Sequence, residues 1–361
     1  MLERRLYYHI DWAMLAALMS LCAIGLVQIY SATGGPTAIF NTQLYGIVLG
    51  LMALIVCLSI DYRSLADKSH FIYLAILALL VYVLLFGVVR GGSRRWIDLG
   101  PFNLQPSEFA KAAVALVLAK FFGESRRGAI TRADLVIAGA LTAIPFLIIA
   151  RQPDLGTAVT LLPVVFFVAY VAGMPMRIIG ILALVGLLAA PIAWRFGLQD
   201  YQKERISTFL DPSQDAKGAG YQQIQARITV GSGGLWGKGF QEGTQGQLRF
   251  LPVAHNDLIF SVLAEEHGFA GVIVTLGLYL FVILRALESA RLAKDRLGAY
   301  LVLGVLASFT FQVLYNITMS AGLAPVKGLT LPLMSYGGSS MIATLGAFGL
   351  ILNVRMRRFT N

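Results

Sequence analysis

The sequence predicts an all-α, polytopic integral membrane protein with about ten transmembrane helices and one long extracytoplasmic loop. Of its 361 residues, 57% are hydrophobic and only 13% are charged, and the mean hydropathy is +0.72. A water-soluble protein of this length would expose far more charge. No soluble domain is evident, so we expect one membrane domain over residues 1–361.

A helix needs about 20 apolar residues to cross the hydrocarbon core of a bilayer. The candidate spans are 11–31, 43–60, 71–89, 106–122, 134–150, 155–174, 177–197, 268–285, 299–323 and 334–353. The fourth is short and carries two charges, but Pro106 suits the first turn of its helix. The first span is too long for the apolar core of a cleavable signal peptide.

Residues 198–256 form a long hydrophilic stretch between the seventh and eighth spans. A connection of this length without periodicity is either functional or a flexible linker. Its glycine-rich run 231–239 favours close backbone packing, and Trp236 and Phe240 are unusual in a linker. We therefore expect an ordered loop.

The basic residues predict which side of the membrane each loop occupies. An even number of spans puts both termini on one side, and the positive-inside rule makes that side the cytoplasm. The inner segments then hold more than half of the 29 lysines and arginines, among them Arg4, Arg5, Arg126 and Arg127. The short outer loops hold Arg90, Arg94, Arg95, Arg151 and Lys327. These outer cations oppose the rule, which makes them candidates for function.

The composition also narrows the possible partners. The formal net charge is +10, but the basic residues are spread over short loops, so no nucleic-acid partner is expected. Cys22 and Cys57 lie in apolar spans and are expected to be free thiols. The four histidines have no metal-ligand spacing.

Asp257 lies where the long loop meets an apolar run that begins at Leu258. Its simplest role is a helix N-cap or first-turn acid, which the helix dipole favours. Asn256 could serve as the cap instead and leave the Asp257 carboxylate free. A carboxylate in a half-apolar setting can act as a general base when its pKa suits the task.

Glu108 and Lys111 are three residues apart and therefore share one face of a helix. An ion pair within the helix is the simplest interpretation. A membrane-embedded pair is also a natural lining for a polar cavity, and both roles can hold at once.

More polar residues flank the spans on the predicted outer side. Asp154 opens the sixth span, where it could cap the helix or bind a ligand. Arg95 beside Trp96 could anchor the chain at the headgroup layer or contact a phosphate in a bidentate manner. Lys238 and Lys327 lie in glycine-flanked loops, where a point charge can reach a diphosphate.

Glu265 and Glu266 lie about two turns beyond Asp257, and we expect them at the outer interface without a chemical role. The other candidates place one carboxylate base and several cations above apolar walls. A cleft of this kind would suit an anionic, lipid-linked substrate.

Six ordered segments carry a resemblance to one known family. They are Arg95-Trp96-Ile97-Asp98-Leu99-Gly100, Gln105-Pro106-Ser107-Glu108-Phe109-Ala110-Lys111, Gln152-Pro153-Asp154-Leu155-Gly156-Thr157, the run 230–239, Phe250-Leu251-Pro252 followed by Asp257, and the run 331–340. Over essentially its full length the chain resembles the SEDS family (shape, elongation, division and sporulation proteins).

The resemblance implies ten transmembrane helices and peptidoglycan glycosyltransferase activity on lipid II at the outer face of the bacterial cytoplasmic (inner) membrane. The family's essential aspartate falls on Asp257, and its sensitive Arg, Glu and Lys fall on Arg95, Glu108 and Lys111. The implied partners are lipid II, the growing glycan chain, membrane lipid and a class B penicillin-binding protein that supplies transpeptidation. The diphosphate of lipid II would suit Mg²⁺ or Mn²⁺, whose protein ligands are unknown, and no organic cofactor is implied.

The branch of the family and the reaction leave alternatives open. The stretch from Arg205 to Gln222 resembles the elongation branch, whereas residues 325–330 resemble the division branch. Polymerisation of lipid II during elongation, with release of undecaprenyl diphosphate, is the first hypothesis. A lipid II flippase and a structural scaffold are the alternatives. A transporter often has inverted repeats and polar residues at the midplane, and no convincing repeat is evident here.

Overall fold

The computed structural model describes residues 9–90, 93–100, 103–125, 130–197, 200–212, 215, 218–248, 250–251 and 254–359. The described residues do not include four of the arginines that predict the orientation, Arg4, Arg5, Arg126 and Arg127. Pro252 of the family motif also lies outside them.

The chain is a bundle of long helices that run alternately up and down, and each predicted span overlaps a helix. The α-helices are α1 Trp12–Thr33, α2 Ala38–Ser59, α3 Tyr62–Asp67, α4 Ser69–Phe86, α5 Pro106–Gly123, α6 Arg132–Arg151, α7 Leu155–Val159, α8 Leu161–Ala172, α9 Met176–Ile192, α10 Asp200–Leu210, α11 Ala219–Ser232, α12 Thr244–Gln247, α13 Ile259–Arg291, α14 Arg296–Ser320 and α15 Gly338–Met356. A π-helical turn, Ala193–Gly197, follows α9, and a 3₁₀ turn, Arg357–Phe359, follows α15.

Within the described residues, eight helices are long and apolar enough to cross a membrane, with α7 and α8 counted as one. The chain is therefore a multi-pass membrane protein. Helix α5 is 18 residues long but carries Glu108, Lys111 and Lys120, and α9 is a shorter apolar helix of 17 residues. A total of ten spans stays a prediction.

Helix α13 begins before its predicted span. The sequence placed the start at residue 268, and the helix begins at Ile259. At Gly268 the backbone has φ 63° and ψ −162°, which breaks the helix into two parts. The predicted span is the second part, from Gly268 onwards. The first part, Ile259–His267, is called here the half-helix; it starts two residues after Asp257.

A small antiparallel sheet joins α4 to α5 and was not predicted. Its strands are β1 Val88–Arg90, β2 Ser93–Asp98 and β3 Asn103–Leu104, in the order β1-β2-β3. Trp96 of β2 lies opposite Val88, and Ile97 lies opposite Leu104. Short strands that pair their backbone groups provide a rigid support for Arg95 outside the helices.

The bundle is held by close helix contacts and by paired charges at one end. Gly46 of α2 lies so near α15 that a Cβ there would approach the Gly338 Cα to 2.9 Å. Small residues of this kind allow helices to approach closely in a membrane. The ends of α1, α13 and α15 meet at Asp11, whose carboxylate pairs with Arg285 at 2.8 Å and Arg355 at 3.1 Å. We call this end the far face.

The opposite end carries the sheet, the described parts of residues 198–256 and the turn after α6, and we call it the loop face. The long connection is largely helical, since α10, α11 and α12 lie within it. A small apolar cluster beneath it contains Leu251, Ala254, Leu258, Val262 and Met319, together with Ala226. The described part of the loop therefore packs against the half-helix and α14.

Candidate active site

Asp257 lies at the loop face, where the loop enters the half-helix. Its backbone carbonyl accepts a hydrogen bond of 2.9 Å from Asn316 Nδ2, and the same amide donates to the Leu329 carbonyl at 2.6 Å. Asn316 thus ties the backbone of Asp257 to the segment that follows α14. The carboxylate lies near Gly328, where an added Cβ would come within 3.5 Å of Asp257 Oδ2.

Structural contacts do not occupy both oxygens of the Asp257 carboxylate. Its Oδ1 atom is enclosed and, among the described residues, has no hydrogen-bond partner. The Asp257 side chain therefore does not take the N-cap role: the residue before α13 is Leu258, and no side chain among the described residues caps the helix. A buried polar atom without a partner is uncommon in proteins and marks a candidate for ligand binding or catalysis.

Burial raises the pKa of Asp257 to about 6, because the ionised form loses its hydration. The positive charges of Arg205 and Arg95 act in the opposite direction, and the negative charge of Asp154 adds to the increase. The carboxylate is ionised at neutral pH, yet basic enough to take a proton. This is the range in which a general base works well.

Arg95 and Asp154, both predicted site residues, contact each other. Arg95 Nη1 lies 3.4 Å from Asp154 Oδ1, and Arg95 Nη2 donates to Ser93 Oγ at 3.0 Å and to the Pro153 carbonyl. The Asp154 side chain is 2% exposed and that of Arg95 is 23% exposed. The guanidinium is therefore held by fixed acceptors and still reaches the surface of the site.

Asp154 takes the first of the two roles that the sequence left open, that of a helix cap. Its Oδ1 accepts from the Thr157 backbone N–H at 3.2 Å, which caps α7. Its Oδ2 accepts from Gln105 Nε2 at 3.0 Å. The capping role is thus confirmed, and the side chain also links the sheet, the start of α5 and the start of α7. A direct contact of Asp154 with a substrate stays a prediction.

Lys327 is the second cation near Asp257. It lies in the segment between α14 and α15, one residue before Gly328. Its ammonium lies 5.9 Å from the ring centre of Tyr315. Burial lowers the pKa of Lys327, and the charge of Arg205 lowers it further. Arg205 therefore lies near enough for its charge to act on both Lys327 and Asp257.

Glu108 and Lys111 form the predicted ion pair, with Lys111 Nζ 2.8 Å from Glu108 Oε2. Lys111 also donates to Gln312 Oε1 at 2.8 Å, and Gln312 Nε2 donates to the Thr330 carbonyl at 3.0 Å. A chain of bonds thus joins the pair to the segment that holds Lys327. The two residues also line a mostly apolar cavity between α5, α14 and α15.

Lys238 lies in a different group of contacts. Its ammonium is 2.7 Å from Glu265 Oε1 and 2.8 Å from Thr244 Oγ1. The structure gives Lys238 an acidic partner in the loop, and the described contacts do not bring it to Asp257. Its role in diphosphate binding stays a prediction.

The expectation for Glu265 and Glu266 needs correction. Both are buried, with 0% and 2% of their surface exposed. The Glu265 carboxylate contacts groups of the long loop, and the Glu266 carboxylate contacts Ser31 of α1. The sequence did contain a signal for this arrangement, namely two adjacent acids and a nearby glycine, Gly268, within an apolar run. Arg205, Gln312 and Asn316 were also missed as site residues, since neither their spacing nor their type distinguished them.

Comparisons with known proteins agree with this architecture. The pattern of the family described as "Cell cycle protein", which comprises FtsW, RodA and SpoVE, matches residues 7–359. The chain is 38% identical over 350 residues to the peptidoglycan glycosyltransferase MrdB of Escherichia coli K12, covering 97% of this chain and 94% of the relative. It is 37% identical over 361 residues to a probable peptidoglycan glycosyltransferase FtsW of Trichlorobacter lovleyi, covering 95% and 92%.

Two solved structures have the same fold over nearly the whole chain. One is described as "Structural coordination of polymerization and crosslinking by a peptidoglycan synthase complex", with a TM-score of 0.84, 34% identity and coverage of 98% and 99%. The other is the rod shape determining protein RodA of Thermus thermophilus, with a TM-score of 0.74, 32% identity and coverage of 98% and 98%. The chain belongs to the FtsW, RodA and SpoVE family, and the resemblance to the SEDS family is confirmed.

Proposed function

We propose that this chain is a peptidoglycan glycosyltransferase that polymerises lipid II into glycan strands during cell elongation, with Asp257 as the general base. The enclosed Asp257 carboxylate carries the proposal, because one of its oxygens has no hydrogen-bond partner among the residues that the structure describes. Relatives that bear this enzymatic name cover nearly the whole chain. The RodA branch is favoured by the relatives named MrdB and RodA and by the RodA structures. The identity to an FtsW protein is similar, so division remains the alternative setting.

In the proposed reaction, the 4-hydroxyl oxygen of the acceptor sugar attacks the anomeric carbon of the donor. The hydroxyl proton passes to a carboxylate oxygen of Asp257, and the bond between the anomeric carbon and the diphosphate oxygen breaks. Undecaprenyl diphosphate leaves with the electron pair of that bond. Water then removes the proton from Asp257 and restores the base for the next addition.

Arg95 and Lys327 would stabilise the charge that develops on the departing diphosphate. Both cations lie near Asp257, and Arg95 is oriented by Ser93, Pro153 and Asp154. Preorganised charge of this kind is more effective than mobile side chains, because it needs no reorganisation during the reaction. Glu108 and Lys111 would line the deeper part of the cleft.

A bound Mg²⁺ or Mn²⁺ would have to take most of its ligands from the diphosphate and from water. Among the described residues, no group of three or more His, Cys, Asp or Glu side chains could hold a metal ion. Mg²⁺ commonly binds through one or two carboxylates and substrate phosphates, and Asp257 and Asp154, whose charges act on each other, would be candidate ligands. The proton transfer to Asp257 requires no metal ligand from the protein.

The loop face would lie outside the bacterial cytoplasmic membrane, with both termini in the cytoplasm. The positive-inside distribution of the basic residues supports this orientation. The proposed protein partner is a class B penicillin-binding protein that crosslinks the new strands. The description of the peptidoglycan synthase complex, which couples polymerisation with crosslinking, supports a partner of this kind.

The test is polymerisation of lipid II by the purified protein in detergent micelles, where flipping between leaflets cannot register. We expect glycan chains from the wild type and almost none from Asp257→Asn. Asp200→Asn is a matched control, because this acid of the same loop is fully exposed. Transfer of lipid II across vesicles without polymerisation in micelles would favour a flippase, and neither activity would favour a scaffold.

A further inference from the structure

A single buried carboxylate, that of Glu265, organises the part of the long loop that follows α11. Its Oε1 accepts from Lys238 Nζ at 2.7 Å and from the Gln245 backbone N–H at 3.0 Å, and its Oε2 accepts from the Gly246 backbone N–H at 3.2 Å. Weaker contacts come from the hydroxyls of Thr244 at 3.3 Å and Ser232 at 3.4 Å. Both oxygens are thus satisfied by one stretch of the loop.

The loop is also bound to the half-helix through its backbone. Lys238 N donates to the Glu265 carbonyl at 2.9 Å, and Gly239 N donates to the Glu266 carbonyl at 3.1 Å. Gly237 lies so close that a Cβ there would be 2.1 Å from the Glu266 carbonyl oxygen. Such close contact is possible only for glycine, so the ion pair between Lys238 and Glu265 is built into a packed junction.

A short series of contacts leads from Glu265 to Asp257. The turn that Glu265 holds at α12 presents the Gln245 carbonyl, which accepts from the backbone N–H groups of Phe250 at 3.1 Å and Leu251 at 3.2 Å. Leu251 is buried in the small apolar cluster with Ala254 and Leu258. Leu258 follows Asp257 directly, so the held turn determines the packing beneath the catalytic carboxylate.

We propose that Glu265 is a positioning residue for glycosyl transfer: through the turn at α12 and the cluster around Leu251, its carboxylate holds Asp257 in its enclosed place. The inference rests on the proposed function of Asp257. It also assigns Lys238 a role through Glu265 in place of a direct contact with the diphosphate.

Three variants test the proposal: Glu265→Gln, Lys238→Met and the double variant, with kcat and KM for lipid II measured in micelles. A misplacement of about 1 Å can lower a rate about 100-fold. We expect each single variant to lower kcat by about 10- to 100-fold with little change in KM. The double variant should be no worse than the poorer single variant, because both changes release the same turn.

Glu266→Gln is the matched control. Glu266 is equally buried at the next position of the half-helix, but its carboxylate accepts from Ser31 of α1 and from the Gln241 backbone, which lies outside the turn at α12. It should lower thermal stability while the kcat of the folded protein stays near that of the wild type. If Glu265→Gln does not fold, Gln245→Pro is the second variant. It removes the backbone N–H of residue 245, which donates a hydrogen bond to Glu265, and it changes no charge. Proline is compatible with the first turn of a helix.

Results that contradict the positioning role differ from those that contradict the proposed function. Wild-type kcat in Glu265→Gln or Gln245→Pro would overturn the proposal. A raised KM in Lys238→Met, with losses that multiply in the double variant, would instead show direct binding of the diphosphate by Lys238. If the wild type does not polymerise lipid II, the proposed function fails by itself. Hydrogen exchange of residues 254–258 then still tests the positioning, because faster exchange in Glu265→Gln supports it and unchanged exchange contradicts it.

Discussion

The two ends of the bundle use buried carboxylates in different ways. At the far face, Asp11 accepts from Arg285, contacts Arg355 and caps α1 through the Met14 N–H at 3.1 Å. At the loop face, Asp257 has cations nearby but keeps an enclosed oxygen without a partner among the described residues. A saturated carboxylate contributes to stability, whereas an unsaturated one is available for a substrate proton. The difference separates a structural carboxylate, Asp11, from one that is available for chemistry, Asp257.

The largest expected effect comes from neutralising these two acids in turn. Asp257→Asn should lower polymerisation by about 10²–10⁴-fold, because the general base is lost. Its thermal stability should not fall, since burial of the ionised carboxylate is unfavourable and the amide removes that charge. Asp11→Asn should keep its activity per folded molecule and lose about 1–3 kcal/mol of stability, because Arg285 and Arg355 lose one carboxylate partner and keep the other, Glu288. The same loss of activity in both variants would contradict the comparison.

The cations of the loop face should give the next largest effect. Loss of one preorganised donor to developing charge typically costs about 10²–10³ in rate, so Arg95→Ala and Lys327→Ala should each lower kcat by that factor. Arg95→Lys should also be damaging, because a lysine cannot replace the fork that contacts Ser93 and Asp154. Arg94→Ala is the control, since the Arg94 side chain donates to the Leu85 carbonyl at 3.2 Å and, among the described contacts, to none of the proposed site residues. Full activity of Arg95→Ala and Lys327→Ala would make these residues interfacial anchors.

The same contrast explains what could be predicted from the sequence. Apolar runs identified every long helix, since crossing a bilayer demands a length and composition that are visible in one dimension. The pair of Glu108 and Lys111 was predictable because its partners lie one helical turn apart. The contacts of Glu265 with residues 232–246, and those of Asn316 with Asp257 and Leu329, join distant parts of the chain. No local spacing indicates such contacts, and the kink at Gly268 that makes the first of them possible is a tertiary feature.

Glu108 and Lys111 provide a test of whether a buried pair at the loop face is only structural. Each single variant, Glu108→Gln or Lys111→Met, should lose stability, because it leaves a charge in an apolar setting. The double variant should recover stability. The polymerisation rate of the double variant should remain at least about tenfold below that of the wild type if the two residues also line the cleft. Recovery of both properties would remove the pair from the site. Lys120→Met is the control. The partners of Lys120, Asp67 and Glu124, are exposed, so we expect this ion pair to contribute little to stability.

The smallest expected effect is a change of enzymatic activity with pH, which arises from Asp257 at the loop face. The pKa of Asp257 is raised to about 6 by burial. The base must be ionised to accept a proton, so activity should be constant above this value and fall about tenfold for each pH unit below it. The rate of lipid II polymerisation from pH 5 to 8, with thermal stability measured at each pH, gives the profile. His255 also lies near this region, and burial lowers its pKa from the usual value. His255→Gln should therefore keep the fall in activity near pH 6, and loss of that fall would assign it to the imidazole instead of Asp257.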